Sequence, residues 1–218
     1  MKTTLMALSL CAATTLAQAG VIDFNPAGNV CNDQTSGNGS IVACSDYAYI
    51  AQSYGDVAGV LDAQYSAPRL TEVSLRWWDA NYNNLRGVAW ADSNDSDSMA
   101  RIDLVPLNGN GVTLTHFDIG AYSNTTRSTH IKVSAIGGPV LMFFDGAVGG
   151  LPGNMPSSFD GVWSSATGIR LEWADNAYNV GVDNVTYSMA PVPEPEAWAM
   201  LLAGLASLGL LARRRTRR

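Results

Sequence analysis

The sequence predicts an all-β fold, an antiparallel β-sandwich of jelly-roll type, on three observations. Apolar and polar residues alternate at period two; in residues 70–77, Val73, Leu75 and Trp77 fall on one side and Glu72, Ser74 and Arg76 on the other. Clusters of Gly, Pro, Asn and Ser separate such runs at short intervals. Between the two ends of the chain, no stretch keeps an apolar stripe at helical spacing with caps. Many short strands without helices bury their apolar faces best as two packed antiparallel sheets.

The chain opens with Lys2, an apolar stretch over residues 5–16, and Ala17-Gln-Ala19 before Gly20. A charge, an apolar centre and an A-x-A site form a secretory signal peptide, so residues 1–19 are set apart from the fold. Residues 20–188 have a length suited to one β-sandwich ectodomain. Its first strand is expected at 21–24, followed by a Gly/Asn/Ser-rich loop over 25–40 and a second strand within 47–54. Further strands are expected at 70–77, 86–91, 101–107 and 112–119, the last reached through Asn108-Gly-Asn-Gly111, a hairpin signal because Asn-Gly supplies positive φ. Strands at 130–136 and 140–144 flank Gly137-Gly-Pro139, a long loop covers 145–161, and strands at 169–173 and 179–187 close the domain. Residues 189–196 are a linker and a Pro-Glu-Pro segment. Residues 197–212 carry no charge and 213–218 hold five arginines.

The net charge of −6 hides an uneven balance. Of thirteen basic residues, Lys2 and the five terminal arginines lie outside 20–196; seven remain there against all nineteen acidic residues, a net charge of −12. That sign excludes nucleic acid as a partner. It suits solubility outside the cell and is compatible with divalent cations. Past the signal peptide only Cys31 and Cys44 remain. An even count in an oxidising compartment favours a disulfide over two free thiols, and a bridge of this span stabilises by about 3 kcal/mol.

No catalytic constellation is legible. The only histidines are His116 and His130, and the chain has no Gly-x-Ser-x-Gly elbow and no His-Glu-x-x-His. Glu172 and Asp175 are the nearest candidates for paired carboxylates, but they fall on opposite faces of one strand. A secreted carbohydrate-active enzyme is therefore the alternative reading, and a non-catalytic domain the preferred one. Residues 92–98 look like a calcium loop but lack the glycine and the final glutamate of an EF-hand, so a solvated turn is the simpler reading. Trp78, Tyr82 and Trp163 are candidate glycan contacts, because a sugar ring stacks on an indole or phenol face; aromatics at alternating positions also serve as core.

Asp23 in the first strand, and Asp183 in the stretch Val182-Asp-Asn-Val185 of the last, make the ectodomain similar to jelly-roll carbohydrate-binding modules. In those modules paired terminal strands hold a structural calcium, and the resemblance implies a calcium bound by Asp23 and Asp183. On the residues alone, Asp183 and Asn184 cap a strand end or form a bulge.

The C-terminus runs Val192-Pro-Glu-Pro-Glu-Ala-Trp198, then a Leu/Ala-rich apolar run to Ala212, then Arg-Arg-Arg-Thr-Arg-Arg218. That order resembles the PEP-CTERM sorting signal of Gram-negative bacteria, with Val192, Pro193, Glu194 and Pro195 as the motif. As a helix the apolar run reaches about 24 Å, short of a ~30 Å hydrocarbon core. Trp198 at one interface, and Arg213, Arg214 and Arg215 at the other, make up the difference. The arginines keep the tail cytoplasmic. The resemblance implies export through the inner membrane, a transient transmembrane helix, cleavage by an exosortase, and a product at the cell surface or in an extracellular polysaccharide matrix.

Overall fold

The computed structural model describes residues 18–25, 28, 30–71, 73–92, 98–192, 203–205 and 207. Among these residues fourteen strands follow one another: β1 (Gln18–Ile22), β2 (Cys31–Asn32), β3 (Ile41–Val42), β4 (Tyr49–Ile50), β5 (Leu61–Ser66), β6 (Arg76–Trp78), β7 (Val88–Trp90), β8 (Met99–Pro106), β9 (Asn110–Ala121), β10 (Thr126–Ala135), β11 (Val140–Gly149), β12 (Ser157–Ser165), β13 (Ile169–Ala174) and β14 (Val180–Pro191). They form two antiparallel sheets. The first has the order β12-β9-β14-β7-β6-β4-β2-β3, with β1 also paired to β14; the second is β11-β10-β13-β8-β5. The four strands β7-β14-β9-β12 face β8-β13-β10-β11, and this alternation of sheets along the chain is jelly-roll topology.

The core lies between the sheets. Leu114, Phe117 and Ile119 of β9, with Val180, Val182 and Val185 of β14, meet Ile102 and Leu104 of β8, Ile131 and Val133 of β10, and Leu171 and Trp173 of β13. Each such side chain stabilises by about 1.5–3 kcal/mol on burial. The buried Trp173 satisfies its one polar atom by donating from Nε1 to the Val180 carbonyl at 2.9 Å. On its outer face the second sheet carries cross-strand ion pairs: Arg170 bonds Asp103 at 2.7 Å, and Arg101 and Lys132 both reach Glu172.

β14 is the axis of the molecule. It pairs with β9 along its length, from Val180↔Ala121 to Pro191↔Asn110, and with β1 from Ile22↔Val185 to Gln18↔Met189. The strand continues past residue 188: Met189, Ala190 and Pro191 are paired, and the Val192 amide donates to the Gly109 carbonyl at 2.9 Å. No free linker therefore separates the domain from the Pro-Glu-Pro segment. β1 likewise begins at Gln18, two residues before the expected cleavage point. The rest of the expected signal peptide lies outside the described residues. So do Pro193, Glu194, Pro195, Trp198, Arg213, Arg214 and Arg215. Of the expected transmembrane helix, residues 203–205 and 207 are described and helical. Among the described residues, no helix is long and apolar enough to cross a membrane.

Several expected elements shift. The Asn108-Gly109 turn forms, with φ of 52° and 73°, but it carries the chain from β8 in one sheet to β9 in the other and closes no hairpin. The expected loop over 145–161 shrinks to seven residues, because β11 extends to Gly149 and β12 starts at Ser157. In the run 70–77 only Arg76 and Trp77 join β6, and Ser74 is buried, donating to the Ile50 carbonyl at 2.7 Å.

Candidate functional site: an aromatic pit

Six rings converge where β14 begins. Tyr47, Trp78, Tyr82, Trp90, Tyr122 and Tyr178 line one cavity of about 40 Å³. Trp78 ends β6 and Trp90 ends β7, and the antiparallel pairing of Trp78 with Val88 and of Arg76 with Trp90 sets the two indoles diagonally on one face, 6.2 Å apart. Tyr122 follows the last residue of β9, and its amide donates to the Asn179 carbonyl at 2.8 Å, which brings it beside Tyr178. Tyr82 bridges to Tyr122 across the strand ends.

The rings hold one another edge to face. Tyr47 and Trp78 lie 4.9 Å apart at 81°, Trp78 and Tyr122 5.5 Å apart at 79°, and Trp90 and Tyr178 5.1 Å apart at 89°. This arrangement sets the positive edge of one ring against the negative face of the next, and each pair contributes about 0.5–1.5 kcal/mol beyond area burial. Trp90 and Tyr82 form the buried floor, and Tyr47 is 46% exposed at the rim. Tyr47 sits in the left-handed region at φ 71°. That conformation costs an aromatic residue on the order of 1 kcal/mol. It is held by the Tyr47 amide donating to the Trp77 carbonyl, and by Arg76 donating to the Tyr47 carbonyl.

Polar groups in the pit are few. Tyr82 donates its hydroxyl to the Tyr178 carbonyl at 3.3 Å. Burial pushes the Tyr82 phenol far above its usual range, and burial with a hydrogen bond to Tyr47 raises Tyr178, so both stay neutral. Trp90 Nε1 is buried without a hydrogen-bond partner. Outside the rings lie Asp46, Asp79 and Asp92; Arg86 pairs with Asp79 and Arg76 with Asp92, while Asp46 accepts the Asp79 amide. The sequence pointed to Trp78 and Tyr82, which the fold brings together. Trp163 is elsewhere: it packs half-buried against Phe117 at 5.8 Å, on the core side of β12. Tyr47 and Tyr122 were not singled out, and no local signal marks them, since each reaches the pit only through long-range pairing.

Asp23 and Asp183, the expected calcium ligands, lie in different surroundings. Asp183 is 3% exposed, and its Oδ1 accepts the Phe24 and Asn184 amides at 3.0 and 2.8 Å. Burial pushes its carboxyl up to about 7, opposed by those two amides and reinforced by Asp23 and Asp118. Asp23 lies at the surface and caps the Asn25 amide. Among the described residues no group of three or more His, Cys, Asp and Glu side chains could hold a metal ion. Through the Phe24 amide, Asp183 fastens the chain after β1 to a bulge in β14, where Asn184 has φ 54°. Of the expected solvated turn at 92–98, residues 93–97 lie outside the described ones.

Cys31 and Cys44 form a disulfide with 5.1 Å between their Cα atoms. Burial alone would raise the Glu172 carboxyl, but Lys132 and Arg101 outweigh it and hold it below the usual carboxylate range. Asp175 lies beyond the end of β13, where it contacts His130. A wider groove of about 880 Å³ runs along β5 and β8, and its Arg101 and Asp103 are paired with Glu172 and Arg170.

Comparison with known proteins gives little for the ectodomain and a definite result for the tail. No curated protein matches the chain. Among solved structures, an exo-beta-1,3-galactanase from Phanerochaete chrysosporium, crystallised with galactose, aligns over 72% of this chain at 14% identity and a TM-score of 0.30. The alignment spans only 35% of that enzyme, a likeness too low to carry an inference. Residues 191–218 match the PEP-CTERM protein-sorting motif, so a jelly-roll domain ends, directly after β14, in the signal that an exosortase recognises.

Proposed function

We propose that the protein is exported, held in the inner membrane by its C-terminal tail, and cut by an exosortase. The β-sandwich then works at the cell surface or in the extracellular matrix as a non-catalytic glycan-binding domain. The observation that carries the binding role is the aromatic pit, six rings assembled from five separate loop and strand ends with Tyr47 held in an unfavourable conformation. A cavity of this size cannot enclose a pyranose, so the sugar lies across the rim and stacks on the exposed faces of Tyr47 and Trp78. The non-catalytic reading is supported by Glu172. A general acid needs a raised pKa, and this carboxylate is clamped in its ionised form by two cations.

The test is a glycan array probed with residues 20–192 and with the Trp78→Ala variant. Specific signals that fall at least tenfold in the variant, about 1.4 kcal/mol, support the reading. Equal signals from both proteins place binding elsewhere, and no signal from either removes glycan binding.

A further inference from the structure

The end of the sandwich from which the tail leaves is built without charge. Five segments meet there. The 57–60 turn touches the 107–109 turn, where the Leu107 amide donates to the Val60 carbonyl at 2.8 Å and Asn108 donates to Gly59 at 2.9 Å. The 136–139 turn touches residues 167–168, through the Ile136 amide to Gly168 and the Thr167 hydroxyl to Ile136, each at 2.9 Å. Residues 164–166 and 190–192 share one shallow groove with Gly111. Residues 57–60, 106–111, 135–141, 164–169 and 189–192 contain no Asp, Glu, Lys or Arg. The nearest charges in sequence are Asp56, Asp62, Arg170 and Glu194. In a region of net charge −12, this is one whole end. Val140 is 57% exposed and Val192 42% exposed on it.

We infer that this uncharged end faces and rests against the lipid headgroup surface while the tail is anchored. This inference depends on the tail being membrane-inserted, as proposed above. Two observations select a bilayer over other occupants. First, the Val192 amide is fixed to Gly109, and only five residues lead from Val192 to the start of the apolar run at Ala197. Fully extended, they span at most about 17 Å, so the end is held within that distance of the hydrocarbon boundary. Second, bringing acidic groups against a bilayer strips their water and opposes them to anionic lipid. The uncharged turns are the part of the surface that approaches at least cost. The aromatic pit, at the start of β14, then points away from the membrane.

The test uses the full chain with its tail, reconstituted into vesicles of phosphatidylethanolamine and phosphatidylglycerol doped with a headgroup-nitroxide lipid. A fluorophore is placed at Ala166→Cys on the uncharged end, or at Met155→Cys in the loop that contacts Asn84 at the pit end. Both sites are exposed, Cys31 and Cys44 are tied up in their disulfide, and Cys11→Ser removes the third thiol. Vesicle flotation is measured on the same samples. Flotation with several-fold stronger quenching at Ala166 is the expected result. Flotation with equal quenching, or with stronger quenching at Met155, overturns the orientation and leaves the anchor intact. Failure to float removes the anchor and the orientation together.

Discussion

β14 joins two unlike ends. At Val180 it enters a cluster of six aromatic rings surrounded by Asp46, Asp79 and Asp92; at Pro191 it leaves through turns of Gly, Ala, Ser, Asn and Val with no charge. The ends are about 35–40 Å apart along the strand. The pit end is locked by side chains: indole on phenol, phenol on carbonyl, and a strained Tyr47 held by Arg76. The tail end is locked by turn amides and carbonyls, with hydrogen bonds from the short polar side chains of Asn108, Asn110 and Thr167. Under the proposed function, side-chain specificity accumulates at the end that selects a ligand, and a plain, uncharged surface suffices at the end that sits near a membrane and is cut.

The contrast predicts how each end responds to substitution. The largest effect is expected at the pit floor: Trp90→Ala removes a buried indole touching Tyr47, Trp78 and Tyr178, and should cost about 3–5 kcal/mol in denaturant unfolding. A loss under about 1 kcal/mol would mean that the rings are not packed as described. Next comes the midpoint of β14. Asp183 has its carboxyl raised to about 7 from an ordinary 3.8, so the folded state holds a proton that the unfolded state releases. Its stabilising contribution is full below the unfolded value and fades as pH rises through about 7. Between pH 5 and pH 7 the wild type should therefore lose about 2 kcal/mol through this group. His116, raised by Asp160 and Asp118 against the opposing effect of burial, acts in the same direction. Comparison with Asp183→Asn isolates the aspartate: the variant keeps an oxygen for the Phe24 and Asn184 amides, and its pH dependence should be flatter by that amount. Identical slopes would show that Asp183 titrates normally. The smallest effect belongs to the tail end, where Ala166→Asp should change stability by less than about 0.5 kcal/mol. A larger loss would mean that the uncharged turns are structural and not a permissive surface.

Much of the framework was legible in the sequence, because strands that bury one face must alternate and loops must turn. β10, β11, β13 and β14 cover the stretches where the pattern placed strands, the first two and the last running longer than expected, and the Cys31–Cys44 bridge follows from the cysteine count and the export signal. β12 was hidden. Its sequence, Ser-Ser-Phe-Asp-Gly-Val-Trp-Ser-Ser, reads as a loop because only Phe159 and Trp163 mark its inner face. The glycine between them is required by packing: a Cβ at Gly161 would meet the Trp163 ring at 2.4 Å. The Asn108-Gly109 turn announced its backbone geometry correctly but not its destination. Which sheet the next strand joins depends on contacts with β12 and β14, far along the chain. The same holds for the pit. Tyr47 and Tyr178 are neighbours only because β7 pairs with both β6 and β14. For Asp183 the residues alone suggested a strand-end cap or a bulge, and the fold places it at a bulge in β14 with the Phe24 and Asn184 amides on its carboxylate. The sorting motif is the opposite case. Val192-Pro-Glu-Pro195 and the arginine-ended apolar run are contiguous, so their meaning survives without any fold at all.

The proposed glycan surface and the sorting handle lie at opposite ends of β14. The most direct measurement is calorimetric titration of extracellular polysaccharide from the producing bacterium into wild type, Trp78→Ala and Ala166→Asp forms of residues 20–192. Trp78→Ala is expected to lose at least tenfold in affinity, and Ala166→Asp to bind as wild type does. Loss of binding in Ala166→Asp with Trp78→Ala unaffected would contradict that placement.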